Sequence, residues 1–141
     1  MLFAVKLSLL FSGIFLLTGM LTGVWKYMMI IRSELHVAPV YVDIAHRNSL
    51  LFSFAAVVIA KLVEFSPFGP PLQLVIVGVP LFFFVMTSAN QITQGYLNRT
   101  DNIFRQPDRF RNLFMYALIV GEVGSIGLLL GGFVYSQFFG L

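Results

Sequence analysis

The stretch LHVAPVYVDIAHRNS, residues 35–49, separates two long apolar runs and contains both histidines of the chain. Its proline and charged residues would interrupt a helix that spans a membrane, so we expect a loop at about residues 32–43. The apolar run before it, at about residues 7–31, is long enough to cross a hydrocarbon layer of roughly 30 Å as a helix. The stretch therefore predicts a polar connection between two transmembrane helices.

The rest of the chain repeats this alternation of apolar runs and polar loops. Three further apolar runs predict three more spanning helices, at about residues 46–63, 72–97 and 112–139. We expect the first run to stay uncleaved, because it is longer than the apolar part of a secretory signal and no A-x-A-like site follows it. The predicted fold is all-α, a single integral membrane domain over residues 1–141 that forms a four-transmembrane-helix bundle.

The composition supports this fold and excludes several functions. Hydrophobic residues make up 58% of the chain and charged residues only 11%, which is too little polar surface for a water-soluble domain. The sequence has no cysteine, which excludes disulfides, thiolate metal sites and cysteine nucleophiles. The net charge of +3 does not indicate nucleic-acid binding, since basic residues beside apolar helices usually orient a membrane protein in the bilayer.

The distribution of basic residues predicts the orientation. Seven of the nine lie in or beside the first and third loops: Lys26, Arg32, Arg47, Arg99, Arg105, Arg109 and Arg111. The opposite side has only Lys6 and Lys61. By the positive-inside rule, loops one and three face the cytoplasm and both termini face outward.

His46 is the strongest candidate for chemistry. It lies at the start of the second predicted helix, near one membrane face, and imidazole is a good ligand for haem iron and for first-row metals. The alternative is an interfacial histidine that only hydrogen-bonds a neighbouring loop. Tyr41 and Asp43 are candidates for holding the second ring nitrogen of His46. His36, within the loop, is the weaker ligand candidate.

A polar stripe follows the third predicted helix. Its members recur at spacings of three or four residues and share one helix face: Thr87, Asn90, Gln94 and Asn98. Amides in hydrocarbon need partners, and hydrogen bonds to a neighbouring helix would supply them. The functional alternative is a pocket wall that orients a small substrate or the edge of a cofactor.

The fourth predicted helix combines one acid with many glycines. Glu122 lies inside the apolar run, where an ionised carboxyl group is costly unless it is paired or beside water. Its expected partners are Arg47, Lys26 or a ligand, and an ion pair between helices without catalytic meaning is the alternative. The glycines of this helix, like Gly19 and Gly23 of the first, predict close helix packing.

Three short motifs resemble the bacterial styrene oxide isomerase family of small four-helix membrane proteins. They are His36-Val37 in the first loop, Ala45-His46 entering the second helix and Ala89-Asn90 in the third. The resemblance implies a homotrimer in a bacterial inner membrane, with haem b between the subunits. It further implies that the haem iron is held by the residue that matches His46. It also implies that a small lipophilic epoxide is opened to a carbonyl compound by the iron acting as a Lewis acid.

The sequence departs from the family beside these motifs. Leu51 and Phe52 occupy the region where the family has an asparagine, and Met86 and Gln94 replace an aspartate and a tyrosine beside the third-helix asparagine. Haem binding needs only one axial imidazole and an apolar slot, so it survives these changes. The changes weaken the prediction of isomerase activity, for which Asn90 and Gln94 remain as the donors expected to orient the substrate.

The leading prediction is a haem-b-binding membrane protein related to epoxide isomerases, with cofactor contacts from His46, Tyr41, Asp43 and Asn90. A different interpretation is a non-catalytic subunit that packs into a larger complex through the glycine faces of helices one and four. A trimeric glutathione or lipid-mediator transferase is a third, but the arginine-rich signature that such enzymes carry in helix two is missing.

Overall fold

The computed structural model describes residues 2–140, and these residues form four long helices. In chain order they are α1 (Phe3–Arg32), α2 (Val40–Glu64), α3 (Pro70–Leu97) and α4 (Arg109–Val134). A short 3-10 helix, Ile103–Arg105, lies in the third loop, and a π-helical turn, Tyr135–Phe139, follows α4. Each long helix is long and apolar enough to cross a membrane, and residues 2–140 contain no strand. The prediction of an all-α fold with four apolar helices is confirmed.

The first loop is shorter than predicted because Pro39 starts a helix instead of interrupting one. Pro39 caps the N-terminus of α2 with φ of −54°, and its carbonyl accepts from the backbone N–H groups of Val42 and Asp43. Proline suits this position because the first turn of a helix needs no N–H donor from it. Asp43 therefore lies in the first turn of α2, and His46 lies in the second.

The four helices form a flattened bundle with α2 and α3 at its centre. α1 packs against α2 and α3 on one side, α4 packs against the same pair on the other, and within residues 2–140 α1 and α4 do not meet. Three rings mark the centre: Phe52 of α2 stacks on Phe84 of α3 at a centroid distance of 4.4 Å, and Phe15 of α1 meets both rings edge-on. α1 and α4 therefore cover different parts of the central pair, and each forms its own interface with it.

α4 is the least covered helix. In the most apolar 18-residue stretch of each helix, only 11% of the residues of α4 are buried, against 39% of those of α3. Gly121 lies so close to Phe83 of α3 that an added Cβ would be 2.7 Å from its ring, whereas Gly124 and Gly127 have open space around them. Gly132 is also in close contact, because an added Cβ would lie 2.8 Å from the ring of Phe68. Two glycines of α4 thus make the predicted close contacts, and others face away from the chain.

Loops one and three lie at the same end of the bundle. The hydroxyl oxygen of Tyr41, in the first turn of α2, accepts a hydrogen bond from the backbone N–H of Ile103 in loop three at 2.9 Å. The guanidinium of Arg111 donates to the carbonyl of Ile103 and, at 3.3 Å, to that of Gln106. Loop three is therefore held against the start of α2 and the start of α4.

Candidate functional site

The polar residues near the loop-one end divide between two flanks of α2. His46 and Asp43 face the seam with α1, while Tyr41 lies on the side of α3 and α4. The two groups of residues offer different chemistry.

Small residues of α1 allow the His46 ring to contact the backbone of α1. The Nδ1 atom of His46 lies 2.7 Å from the carbonyl oxygen of Gly19. A Cβ placed on Gly23 would lie 2.8 Å from Cε1 of the same ring, and one on Gly19 would meet Leu50. The Gly19-x-x-x-Gly23 pair is thus occupied within the chain by Leu50 and the His46 ring.

This contact determines the tautomer of His46. A carbonyl oxygen only accepts hydrogen bonds, so the Nδ1 atom carries the proton and donates it to Gly19. In the neutral ring, Nε2 then has a free lone pair, and no hydrogen bond to it occurs within residues 2–140. A histidine with one nitrogen tied to a backbone carbonyl is the usual form of a metal ligand, because the bond orients the ring and raises its basicity.

Charges cluster one helical turn from His46. The carboxylate of Asp43 lies 2.6 Å from the ammonium of Lys26 on α1 and 2.8 Å from the guanidinium of Arg47 on α2. One acid shared by two bases leaves a local net charge of +1. Asp43 therefore neither holds the His46 ring nor leaves Lys26 and Arg47 as partners for Glu122.

A cavity of about 610 Å³ occupies the other flank, between α2, α3 and α4. Its wall is mostly apolar, with Phe52 and Phe114 among its aromatic residues. Its polar and charged lining residues are Tyr41, Thr87, Asn90, Gln91, Asp108, Arg111 and Glu122. The cavity extends from Asp108 and Arg111, beside loop three, to Glu122 at the middle of α4.

The predicted amide stripe only partly faces this cavity. Thr87 and Asn90 line it, whereas Gln94 and Asn98 lie nearer the end of α3 and do not. Gln91, outside the predicted face, lines the cavity instead and is buried. Of the two residues expected to orient a substrate, the cavity therefore includes Asn90 and not Gln94.

The predicted cofactor contacts are also divided. His46 and Asp43 lie on the α1 side of α2, whereas Tyr41 and Asn90 line the cavity on the opposite side. Within one chain these four residues do not surround a common space. The partner of the His46 Nδ1 atom is the Gly19 carbonyl rather than Tyr41 or Asp43.

Four buried polar atoms of α2 and α3 lack a hydrogen-bond partner within residues 2–140: Ser49 Oγ, Gln73 Oε1, Ser88 Oγ and Gln91 Oε1. The contact of Gly95 with Val42 and the stacking of Phe84 on Phe52 set the register of the two helices. That register places Ser88 and Ser49 at about the same level of the bundle. The sequence gives no signal for this polar layer, because serines also occur as small packing residues in apolar helices.

The residues described offer an imidazole ligand but no complete cage for a bare ion. Within residues 2–140, no group of three or more His, Cys, Asp or Glu side chains could hold a metal ion. A single imidazole instead suits a metal whose other ligands come from a macrocycle. Comparisons with protein-family models, with curated proteins and with solved structures find no match to this chain.

Proposed function

We propose that the protein is an integral membrane protein that binds haem b, and that Nε2 of His46 would hold the iron. The observation that carries the proposal is the 2.7 Å hydrogen bond between His46 Nδ1 and the Gly19 carbonyl. It fixes the ring against α1 and leaves Nε2 as the nitrogen available for a metal. The same bond would be retained on ligation, because it uses the other ring nitrogen.

The charges beside His46 fit the propionate groups of a haem. Lys26 and Arg47 share the single carboxylate of Asp43 at 2.6 and 2.8 Å, so the cluster has one positive charge in excess. Two carboxylates of a porphyrin are the kind of anionic group that such a cluster attracts. In this proposal His46 holds the iron, and Lys26 and Arg47 hold the propionates.

The proposal places the haem outside the cavity between α2, α3 and α4, since that cavity does not include His46. The surface of α2 beyond His46 is apolar, with Leu51 62% exposed and Phe54 67% exposed. A flat macrocycle on this surface would need a second cover, and another copy of the chain supplies one. We therefore include in the proposal a homo-oligomer, a trimer by the resemblance, with haem between subunits.

We extend the proposal to isomerisation of a small lipophilic epoxide, the reaction that the resemblance implies. When bound, ferric haem supplies a Lewis acid for the epoxide oxygen. Converting an epoxide to a carbonyl compound adds and removes no atoms, so the chain has only to exclude water and orient the substrate. Asn90 and Gln94 would act on a substrate at His46 only from a neighbouring copy, because within one chain Asn90 faces the other flank of α2.

The absorption spectrum of the purified protein tests haem binding. We expect a Soret band in the wild type, loss of that band in His46→Ala and an unchanged band in His36→Ala. His36 is the matched control, because it is the other histidine of the chain and lies in the exposed loop. A colourless wild type after reconstitution with haem, or a Soret band that survives His46→Ala, would overturn the proposal.

Isomerase activity needs its own experiment. The haem-loaded protein, incubated with an aryl epoxide, should give the aldehyde without added reductant or oxygen, and the Asn90→Leu variant should be slower at equal haem content. A protein that binds haem through His46 and leaves the epoxide intact would refute the isomerase activity alone.

A second candidate function is a non-catalytic subunit of a larger membrane complex. The observation that favours it is the exposed outer surface of α4, where a Cβ added at Gly124 or Gly127 would meet nothing within 4 Å. α1 does not expose Gly19 and Gly23 in this way, because Leu50 and His46 of α2 cover them. Purification in a mild detergent separates the candidates: a stable red oligomer supports the first, and a colourless chain that is unstable without partners supports the second.

A further inference from the structure

Glu122 is a half-buried carboxyl group without a protein partner. It lies at the middle of α4 and lines the cavity between α2, α3 and α4. Within residues 2–140, all ion pairs are made by other residues, and no side chain donates a hydrogen bond to Glu122. A carboxylate so far from both ends of an apolar helix is costly unless a positive charge or a proton compensates it.

The cavity around Glu122 has a net negative charge when this carboxyl group is ionised. Three charged side chains line the cavity, and two of them, Asp108 and Arg111, neutralise each other beside loop three, 3.8 Å apart. Arg111 is further engaged by backbone carbonyls of loop three, so it does not serve Glu122. The charge that remains is the one at Glu122, at the deep end.

The remaining wall suits an apolar molecule that carries a positive charge. Phe52 at the middle of α2 and Phe114 and Leu118 in the first half of α4 line the cavity, and aromatic rings attract cations. Gln91 lines the same cavity, and its Oε1 is a buried acceptor that no donor within residues 2–140 satisfies. A carboxylate, a free amide acceptor and aromatic rings are together complementary to a cation with apolar substituents.

We propose that this cavity binds a lipophilic organic cation, with Glu122 as its counter-ion. The cavity volume of about 610 Å³ accommodates a molecule of drug-like size. This site is separate from the one at His46 and goes beyond the proposed haem function. Cation binding is measured without haem, so its failure and the failure of haem binding are distinguishable.

Binding of radiolabelled tetraphenylphosphonium tests the proposal. The protein in lipid nanodiscs is compared with empty nanodiscs by equilibrium dialysis, and triphenylphosphine oxide serves as a neutral competitor of similar chemistry. We expect saturable binding to the wild type, with the neutral compound competing at least about tenfold more weakly than unlabelled tetraphenylphosphonium. This comparison uses the wild-type protein alone, so it does not depend on how any variant folds.

Matched variants assign the charge to Glu122. Glu122→Gln should weaken binding about tenfold or more, and Glu122→Asp should retain most of it. Glu34→Gln is the control, because it removes the same charge from an exposed loop. Binding no better than to empty nanodiscs, equal competition by the neutral compound, or unchanged binding in a folded Glu122→Gln protein would each overturn the proposal.

Discussion

The imidazole of His46 and the carbonyl of Gly19 join α2 to α1 through a 2.7 Å hydrogen bond. The Thr22 hydroxyl donates mainly to the Thr18 carbonyl, at 2.7 Å, and lies 3.1 Å from the Gly19 oxygen. A carbonyl has two lone pairs, and the absence of a side chain at Gly19 leaves it accessible from the neighbouring helix. The ring position of His46 therefore depends on the small residues of α1, and this dependence can be tested.

Gly23→Ala should disturb His46. The added methyl group would lie 2.8 Å from Cε1 and 3.0 Å from Nδ1, so the ring must move away from α1. We expect a loss of about 1–3 kcal/mol in the free energy of unfolding, typical of overpacking, and a shifted or weaker Soret band if haem is bound. Gly13→Ala is the control on the same helix, because nothing lies within 4 Å of its Cβ position. Equal stability of the two variants in SDS titration would refute the packing described.

Replacing a glycine of α4 by leucine should lower the free energy of unfolding at Gly121 but hardly change it at Gly124. Gly121→Leu would push α4 away from Val79 and Phe83 of α3, at a cost of about 1–3 kcal/mol. Gly124→Leu faces open space and should change the free energy of unfolding by less than about 0.5 kcal/mol. The oligomeric state, measured by light scattering in detergent, gives a second readout. Dissociation by Gly124→Leu without loss of fold would identify this surface of α4 as an interface.

The sequence predicts the helices well and their lateral arrangement poorly. Apolar runs of this length admit few alternatives in a bilayer, and so the four helices appear where expected. The predicted start of α2 is too late, because proline not only interrupts helices but also favours their first turn, as Pro39 does here. Rotational position is the harder problem: all faces of these helices are apolar, so periodicity does not tell which side of α2 faces α1.

The same ambiguity explains the candidate site. His46 and Tyr41 are five residues apart on α2, which places them on different faces of the helix, and they contact α1 and loop three respectively. The Gly19-x-x-x-Gly23 motif predicts a close contact but does not name its partner, which is the His46 ring. Glu122 could be identified from its charge alone, whereas the cavity that it lines depends on how α4 packs.

Tyr41→Phe should release loop three. The variant removes the hydroxyl that accepts from the N–H of Ile103 at 2.9 Å and leaves the ring in place. We expect faster hydrogen exchange around the 3-10 helix Ile103–Arg105 and a loss of about 1 kcal/mol in stability. Tyr96→Phe is the control, because this side chain is 80% exposed. Identical exchange in the two variants would show that the hydroxyl does not hold the loop.

Two fully buried serines provide the last test, because they differ only in what their hydroxyl groups meet. Ser8 on α1 donates from Oγ to the carbonyl of Ala56 at 2.6 Å, whereas Ser49 Oγ has no partner within residues 2–140. Ser8→Ala should therefore cost about 1 kcal/mol in the free energy of unfolding, as expected for a hydrogen bond between apolar helices.

Ser49→Ala should be neutral or stabilising by up to about 1 kcal/mol, because it removes a polar group that is desolvated without compensation. Unfolding in SDS mixed micelles at matched protein concentration measures both variants. A cost for Ser49→Ala equal to that for Ser8→Ala would mean that water or a ligand satisfies the Ser49 hydroxyl. A similar cost for Ser88→Ala, at about the same level on α3, would extend this conclusion to the second buried hydroxyl group.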